Sequence, residues 1–343
     1  MRLVKTHGSL NEIFVLDATP SAWASEAGLR EFVRRVCDRN AWTGGSDGIY
    51  LYDAGSPNTR AWFFNPDGSS AEFCGNGMRG LGRMILDLRG TDTEVVASGG
   101  RDYTVRRAPS TTDGVRQVLL EMPAVEFAAP PPPPFGGFTA VTVPNPHVIA
   151  IVADYCEPDL IEAGKRAAEV FPDGANVSFL LPLDAAAQVS ALTPAPPASF
   201  ASASTTAPSA SATSAPTIAP SASADPEVFV RTFERGAGLT PSCGSGVVAS
   251  RAAYSRVTGL APERRLVVRN AGGVSAASIR VRDGAWLPVL EGNATIVHRA
   301  GVDRDGRQTG QVEYAADENA AYASLDAQNI ARLKAAGVVT AHP

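Results

Sequence analysis

Two stretches of the chain, FNPDGSSAEFCGNG (64–77) and TFERGAGLTPSCGSG (232–246), follow one pattern. In each, a phenylalanine (Phe64, Phe233) stands ten positions before a cysteine (Cys74, Cys243), and the cysteine opens a Cys-Gly-x-Gly turn. A glycine follows each cysteine by sixteen residues, Gly90 and Gly259, where a helix would end in a left-handed cap. Next in each half come a Val-Val strand start (Val95-Val96, Val267-Val268), a Gly-Gly pair (99–100, 272–273) and another strand. Upstream, an Asn-bearing turn precedes a strand in both copies: Asn11 before IFVLD and Asn145 before VIAIV. The same features in the same order at nearly the same offsets point to duplication of one domain.

Periodicity gives the elements of a half. Met78, Leu81, Ile85 and Leu88 recur at three- and four-residue steps, which predicts a helix from Gly75 to about Leu88. Its counterpart after Cys243 is apolar on more than one face (Val247, Val248, Ala249, Ala252, Ala253), as expected of a helix surrounded by protein. Short β-branched runs such as EVVAS, YTVRR, RQVLLEM, RLVVR and SIRVR lie around both. The expected fold is α+β: two pseudo-symmetric domains, each a mostly antiparallel curled sheet or barrel around a central helix. Leu29, Phe32, Val33 and Val36 mark a further amphipathic helix outside the N-terminal half.

Composition agrees with two domains. The chain has 343 residues and is 44% hydrophobic, enough for two cores. Thirty Lys+Arg against 35 Asp+Glu, with no basic block, argue against a nucleic-acid partner. No apolar run approaches the roughly 18 residues of a spanning helix, and the opening MRLVKTHGSLNEIF does not read as a secretory signal. Four cysteines are too few for a disulfide framework, so reduced thiols in the cytoplasm are expected. The five prolines 130–134 read as a spacer. The expected division is residues 1–128 with about 293–303 for the Cys74 half, 129–138 as linker, and 139–292 for the Cys243 half. From Thr193 to Ala224, all but Phe200 and Ile218 of 32 residues are Ala, Ser, Thr or Pro. Such a segment buries too little to offset its ordering entropy, so it is expected to be a disordered insertion. Residues 304–343 form a C-terminal extension in which a short helix is expected, its role unreadable.

The two cysteines carry the chemistry. Each immediately precedes a glycine-bearing helix start, where unpaired N–H groups and the positive end of the helix dipole favour a thiolate. The glycines let a ligand carboxylate approach the backbone N–H groups. Two such sites facing each other across a cleft would leave a substrate α-carbon between two sulfurs. One thiolate removes the α-proton and the other thiol returns a proton to the opposite face, inverting the centre without a cofactor. Metal sites favour Cys-x2–4-Cys pairs or clustered histidines. Here the thiols are isolated and the four histidines (7, 147, 298, 342) dispersed, so no metal is expected. Cys37, on an apolar stripe, reads as structural, and Cys156, after a strand, as structural or incidental.

The two loops, with THGSLNEIFVLD (6–17) and VPNPHVI (143–149), resemble the diaminopimelate epimerases, which interconvert LL- and meso-diaminopimelate without pyridoxal phosphate. The resemblance covers roughly residues 1–303 apart from the insertion. It implies that Cys74 and Cys243 are the paired acid and base, and that His147 and Glu234 orient the substrate beside them. Asn11, Asn65, Asn145, Asn176 and Arg235 would grip the distal amino-acid end. Gly75, Asn76, Gly244 and Ser245 would donate N–H groups to the carboxylate at the reacting end. It further implies a cytoplasmic homodimer that takes a small-molecule substrate in lysine and peptidoglycan precursor synthesis. Pro66 and Phe73, and Ser242-Cys243-Gly244-Ser245 where Ala-Cys-Gly-Thr is commoner, depart from the family pattern without removing a catalytic group. The alternatives are a related two-cysteine racemase of histidine, proline or hydroxyproline, and a non-catalytic relative that binds an amino acid or senses redox state.

Overall fold

The computed structural model describes residues 1–55, 58–111, 113–183 and 225–338; the segment 193–224 expected to be disordered lies outside them. The chain divides into two units. One comprises Met1–Met122, Gly272–Val274 and Leu290–Ile330; the other comprises Pro123–Ala271, Ser275–Val289 and Ala331–Pro343. Five α-helices and many short strands make the described residues a mixed α+β fold, as the sequence pattern predicts: α1 (Glu26–Cys37), α2 (Gly75–Arg89), α3 (Glu157–Val170), α4 (Gly244–Thr258) and α5 (Ala316–Ala335).

In the first unit, strand Asn11–Asp17 runs parallel to Ile49–Asp53, with α1 as the crossover that a parallel pair requires. Ile49–Asp53 is antiparallel to Thr59–Phe64, which makes a short hairpin with Ser70–Ala71 before Cys74 and α2. After α2 the chain returns as Thr93–Ser98, parallel to Thr59–Phe64, and continues antiparallel through Arg101–Ala108 and Gln117–Glu121. The second unit repeats the scheme. Asn145–Ile151 is parallel to Asn176–Pro182 across α3, and Asn176–Pro182 is antiparallel to Glu227–Glu234. Glu227–Glu234 makes a hairpin with Gly238–Leu239 before Cys243 and α4, and Leu266–Asn270 then returns parallel to it. The duplication read from the two cysteine loops is thus a duplication of topology, including two parallel pairings per unit that the sequence reading did not resolve.

Each central helix is enclosed as its composition requires. Met78, Leu81, Ile85 and Leu86 of α2 are fully buried against the strands of the first unit. Two glycines make that approach possible: a Cβ on Gly77 would meet Ile13 and Tyr50, and one on Gly80 would meet Thr6. In α4 every residue from Gly244 to Ser255 is buried, so the helix has no solvent face over three turns. Both helices end on glycine in the left-handed conformation, Gly90 at φ 67° and Gly259 at φ 74°, each donating its N–H back to the last turn.

The outer helices complete the cores. α1 is capped by the Ser25 hydroxyl and buries Leu29, Phe32, Val33 and Val36 against Leu3, Phe14, Leu16 and Leu51. Full burial of such side chains contributes roughly 1.5–3 kcal/mol each. α3 buries Leu160, Ala163 and Ala167 against Val148, Val177 and Phe179. Phe135 and Phe138, just after the proline run, insert into that same core.

Candidate active site

Cys74 and Cys243 occupy the same position in their units, the N-cap of a buried helix. Cys74 has extended backbone (φ −133°, ψ 112°), and its Sγ accepts the backbone N–H of Gly77 at 3.5 Å. Cys243 has φ −114° and ψ 110°, and its Sγ accepts the N–H of Gly246 at 3.4 Å. Each sulfur therefore fills the place that Ser or Thr oxygen usually takes, against the third helical N–H. Sequence reasoning assigned neither Gly77 nor Gly246 a role; the N-cap geometry was the signal, because the capping donor lies three residues after the cap.

Around Cys74, the thiol points to the Asn11 amide oxygen at 3.8 Å. Asn11 is fixed in turn: its Nδ2 donates to Asp47 at 3.1 Å, and the same carboxylate oxygen accepts the N–H of Glu12 at 2.9 Å. Asp47 is held by Arg39, 2.6 Å away. Tyr50, fully buried, accepts the Cys74 N–H at 2.9 Å and fixes the cap from the sheet side. Asn76 is buried in the first turn of α2. One turn on, Arg79 is also fully buried; its Nε donates to the Asn293 carbonyl at 3.1 Å, while burial lowers its pKa to about 10, leaving it charged near neutrality. Asn65 donates its Nδ2 to Ser69 at 3.0 Å in the turn 65–69.

Around Cys243, the structure gathers most of the predicted residues of that half. Ser245 Oγ lies 3.4 Å from the sulfur and 3.0 Å from Nε2 of His147. Asn176 Nδ2 lies 3.4 Å from the same Nε2, and its Oδ1 accepts the Arg235 N–H at 2.8 Å. His147 and Asn176 are register partners in their parallel strands, so the sheet sets their separation. Burial, with Arg235 nearby, lowers the His147 pKa to about 3 and keeps the ring neutral. Glu234 accepts a hydrogen bond from Thr240 and also interacts with the Cys243 thiol. The Arg235 guanidinium is exposed and donates to the Asp173 carbonyl. Asn145 begins the His147 strand, two residues away and half-buried.

One expectation needs correction. The helix start was expected to favour a thiolate at both cysteines, yet the Cys243 thiol is pushed well above its usual range, first by burial and then by the Glu234 carboxylate. The hydrogen bonds from Ser245 and Gly246 oppose this and do not overcome it. Burial thus favours the protonated thiol at Cys243. Cys37 is buried, with its thiol raised to about 12, and Cys156 is exposed at the start of α3 with no capping hydrogen bond. Among the described residues, no group of three or more His, Cys, Asp or Glu side chains is placed to hold a metal, and no helix is long and apolar enough to cross a membrane.

No protein-family model matches the chain. A curated protein of Enterococcus faecalis named diaminopimelate epimerase is 29% identical, over 86% of this chain and 86% of its own. Among solved structures, a phenazine biosynthesis protein of the PhzF family from Bacillus anthracis aligns with a TM-score of 0.59 at 12% identity, over 87% of this chain and 97% of that one. A hydroxyproline epimerase from Agrobacterium vitis with bound trans-4-hydroxy-L-proline aligns with a TM-score of 0.55 at 13% identity, over 93% and 97%. The chain is thus homologous over most of its length to proteins named diaminopimelate epimerase, which makes it an isomerase, and it shares the pseudo-symmetric fold of these solved structures.

Proposed function

We propose that this chain interconverts LL- and meso-diaminopimelate by a two-base reaction between Cys74 and Cys243, with no cofactor. The observation that carries the reading is the pair of sulfurs at equivalent N-caps, each touching the third N–H of a buried helix. A substrate carboxylate suits the same helix starts, where Gly75, Asn76, Gly244 and Ser245 present N–H groups. The first step breaks the α-carbon–hydrogen bond: the proton goes to a thiolate and the electron pair stays on carbon. In the second, the carbanion takes the proton of the other thiol, which becomes a thiolate. Atoms and charge balance, and the product leaves the two sulfurs with their protonation states exchanged.

The asymmetry of the two environments supports one choice of starting roles. Cys243, raised by burial and Glu234, enters as the proton donor, and Cys74, beside the cationic Arg79, enters as the base. His147, neutral, orients the Ser245 hydroxyl instead of transferring the proton itself. Asn11, Asn65, Asn145, Asn176 and Arg235 suit the distal ammonium and carboxylate of a substrate with two amino-acid ends. The same reading has the enzyme act as a cytoplasmic homodimer in lysine and peptidoglycan precursor synthesis.

Incubation with LL-diaminopimelate in heavy water tests the proposal. Deuterium is expected at one α-carbon of the meso product, and Cys74→Ala and Cys243→Ala are each expected to abolish net epimerisation. Exchange on proline, hydroxyproline or histidine with none on diaminopimelate would overturn the substrate. Unimpaired turnover after loss of either thiol would overturn the mechanism.

A further inference from the structure

The C-terminal helix lies outside the segment that the sequence motifs explain, yet it is built into the Cys74 half. Glu318 of α5 grips Arg83 of α2 with both oxygens, at 2.6 and 2.7 Å, and also accepts the Ile296 N–H at 3.0 Å. Asn319 donates to the Val297 carbonyl at 3.1 Å. One turn further, Tyr322 is almost wholly buried. Its ring meets His7 edge-on, centroids 4.3 Å apart, and its hydroxyl donates to the Gly272 carbonyl and is met by the Ser9 side chain. Gly273, of the repeated Gly-Gly pair, leaves room for that hydroxyl: a Cβ there would collide with it.

What Tyr322 touches is the turn that delivers Asn11. Ser9 and Leu10 both adopt left-handed backbone, φ 53° and 60°, although neither is glycine. Two consecutive residues of this kind cost of order 1–3 kcal/mol each and persist only where the surroundings impose them. Ser9 and Leu10 are the two-residue turn between strands Arg2–Gly8 and Asn11–Asp17, which pair up to Gly8 and Asn11, and contacts from outside the hairpin brace it further. Asn293 accepts the Ser9 N–H at 2.8 Å, His7 Nδ1 accepts the Leu10 N–H at 3.3 Å, and Tyr322 closes on both His7 and Ser9. The next residue is Asn11, whose amide oxygen faces the Cys74 thiol.

We propose that Tyr322 is a positioning residue: by clamping the His7–Ser9 segment it holds the left-handed turn that aims Asn11 at Cys74, so the C-terminal extension is part of the machinery of that thiol. The turnover part of this inference rests on the epimerase reading above; the part concerning thiol reactivity does not.

The test uses the full-length chain with Tyr322→Phe and Tyr322→Leu, each checked for folding by its thermal transition. Two readouts are taken: the iodoacetamide alkylation rate of Cys74, followed by peptide mass, and kcat and KM for diaminopimelate. Tyr322→Leu is expected to change the Cys74 alkylation rate about threefold or more while leaving that of exposed Cys156 unchanged. It is expected to lower kcat/KM about tenfold, as small misplacements of reacting groups do. Adding Leu10→Gly, which removes the backbone penalty at φ 60°, is expected to restore a good part of both, a rescue that general loss of stability would not show. If Tyr322→Leu does not fold, Tyr322→Phe carries the same comparison through the hydroxyl alone. Folded variants with unchanged Cys74 alkylation, or a loss that Leu10→Gly leaves untouched, would overturn the proposal. Altered alkylation in a protein whose wild type ignores diaminopimelate would sustain it and remove the substrate reading instead.

Discussion

The amide of Asn176 lies 3.4 Å from Nε2 of His147, two side chains brought together by parallel strand pairing. That contact joins the Cys243 loop to the sheet, because the same imidazole nitrogen meets Ser245 and the same asparagine accepts the Arg235 N–H. The second half thus surrounds its thiol with the neutral His147–Ser245–Asn176 network and the Glu234 carboxylate, whereas the first brings a buried guanidinium near its own.

This network has a pH signature. His147 and His7 are held to about 3 and about 4, below the ordinary 6.5, burial being the largest cause for both. Between those values and 6.5 the unfolded chain binds protons that the folded chain does not, so stability falls as pH falls through that window. From pH 7 to pH 5 the loss should reach about 2 kcal/mol per histidine. Urea unfolding at several pH values measures it, and His147→Gln should flatten the slope.

Glu234→Gln should make Cys243 more reactive. The carboxylate is second only to burial in raising that thiol, so neutralising it stabilises the thiolate. Iodoacetamide labelling at pH 8 should accelerate severalfold at Cys243, with exposed Cys156 as the internal reference. An unchanged rate would mean that burial alone sets its protonation.

Close approach of α2 to the sheet predicts the effect of two alanines. Gly80→Ala drives a methyl into Thr6 and should cost about 1–3 kcal/mol. Gly100→Ala, at φ 74° with nothing near its Cβ, should cost only the left-handed backbone term of about 1 kcal/mol. Thermal transitions of the two variants should separate in that order.

Arg251 anchors the end of α4. Its Nη2 donates to the carbonyls of Ala261, Pro262 and Arg264 at 2.7, 3.0 and 2.8 Å, and its pKa, lowered to about 10 by burial, keeps it charged. A lysine offers one nitrogen in place of the planar fork, so Arg251→Lys should destabilise by about 2–4 kcal/mol. Chemical denaturation would show it as a lower midpoint.

What the sequence disclosed follows from the physics of each signal. The cysteine loops, their helices and the glycine caps at 90 and 259 are local and duplicated, so spacing alone exposed them. α3 escaped because its buried stripe is largely Ala163, Gly164 and Ala167, which carry little hydrophobic contrast. Asp47, which fixes Asn11, and Tyr50, which fixes Cys74, are distant in sequence and ordinary in composition. The raised Cys243 thiol was hidden for another reason: a helix start is visible in a sequence, whereas burial of the residue is a property of the assembled core. The extension read as a short helix of no stated role, and it is 20 residues long. Its contacts with Arg83 and His7 span more than 200 positions and leave no local trace.

Sulfur is a long, weak acceptor, and a hydroxyl serves better at the first position of a helix. Serine at position 74 or 243 should therefore leave the scaffold at least as robust while silencing it, yielding intact but inert copies suited to trapping a bound substrate. Folding alone would favour oxygen at both places, so on the proposed reading the thiols serve the reaction at the expense of durability.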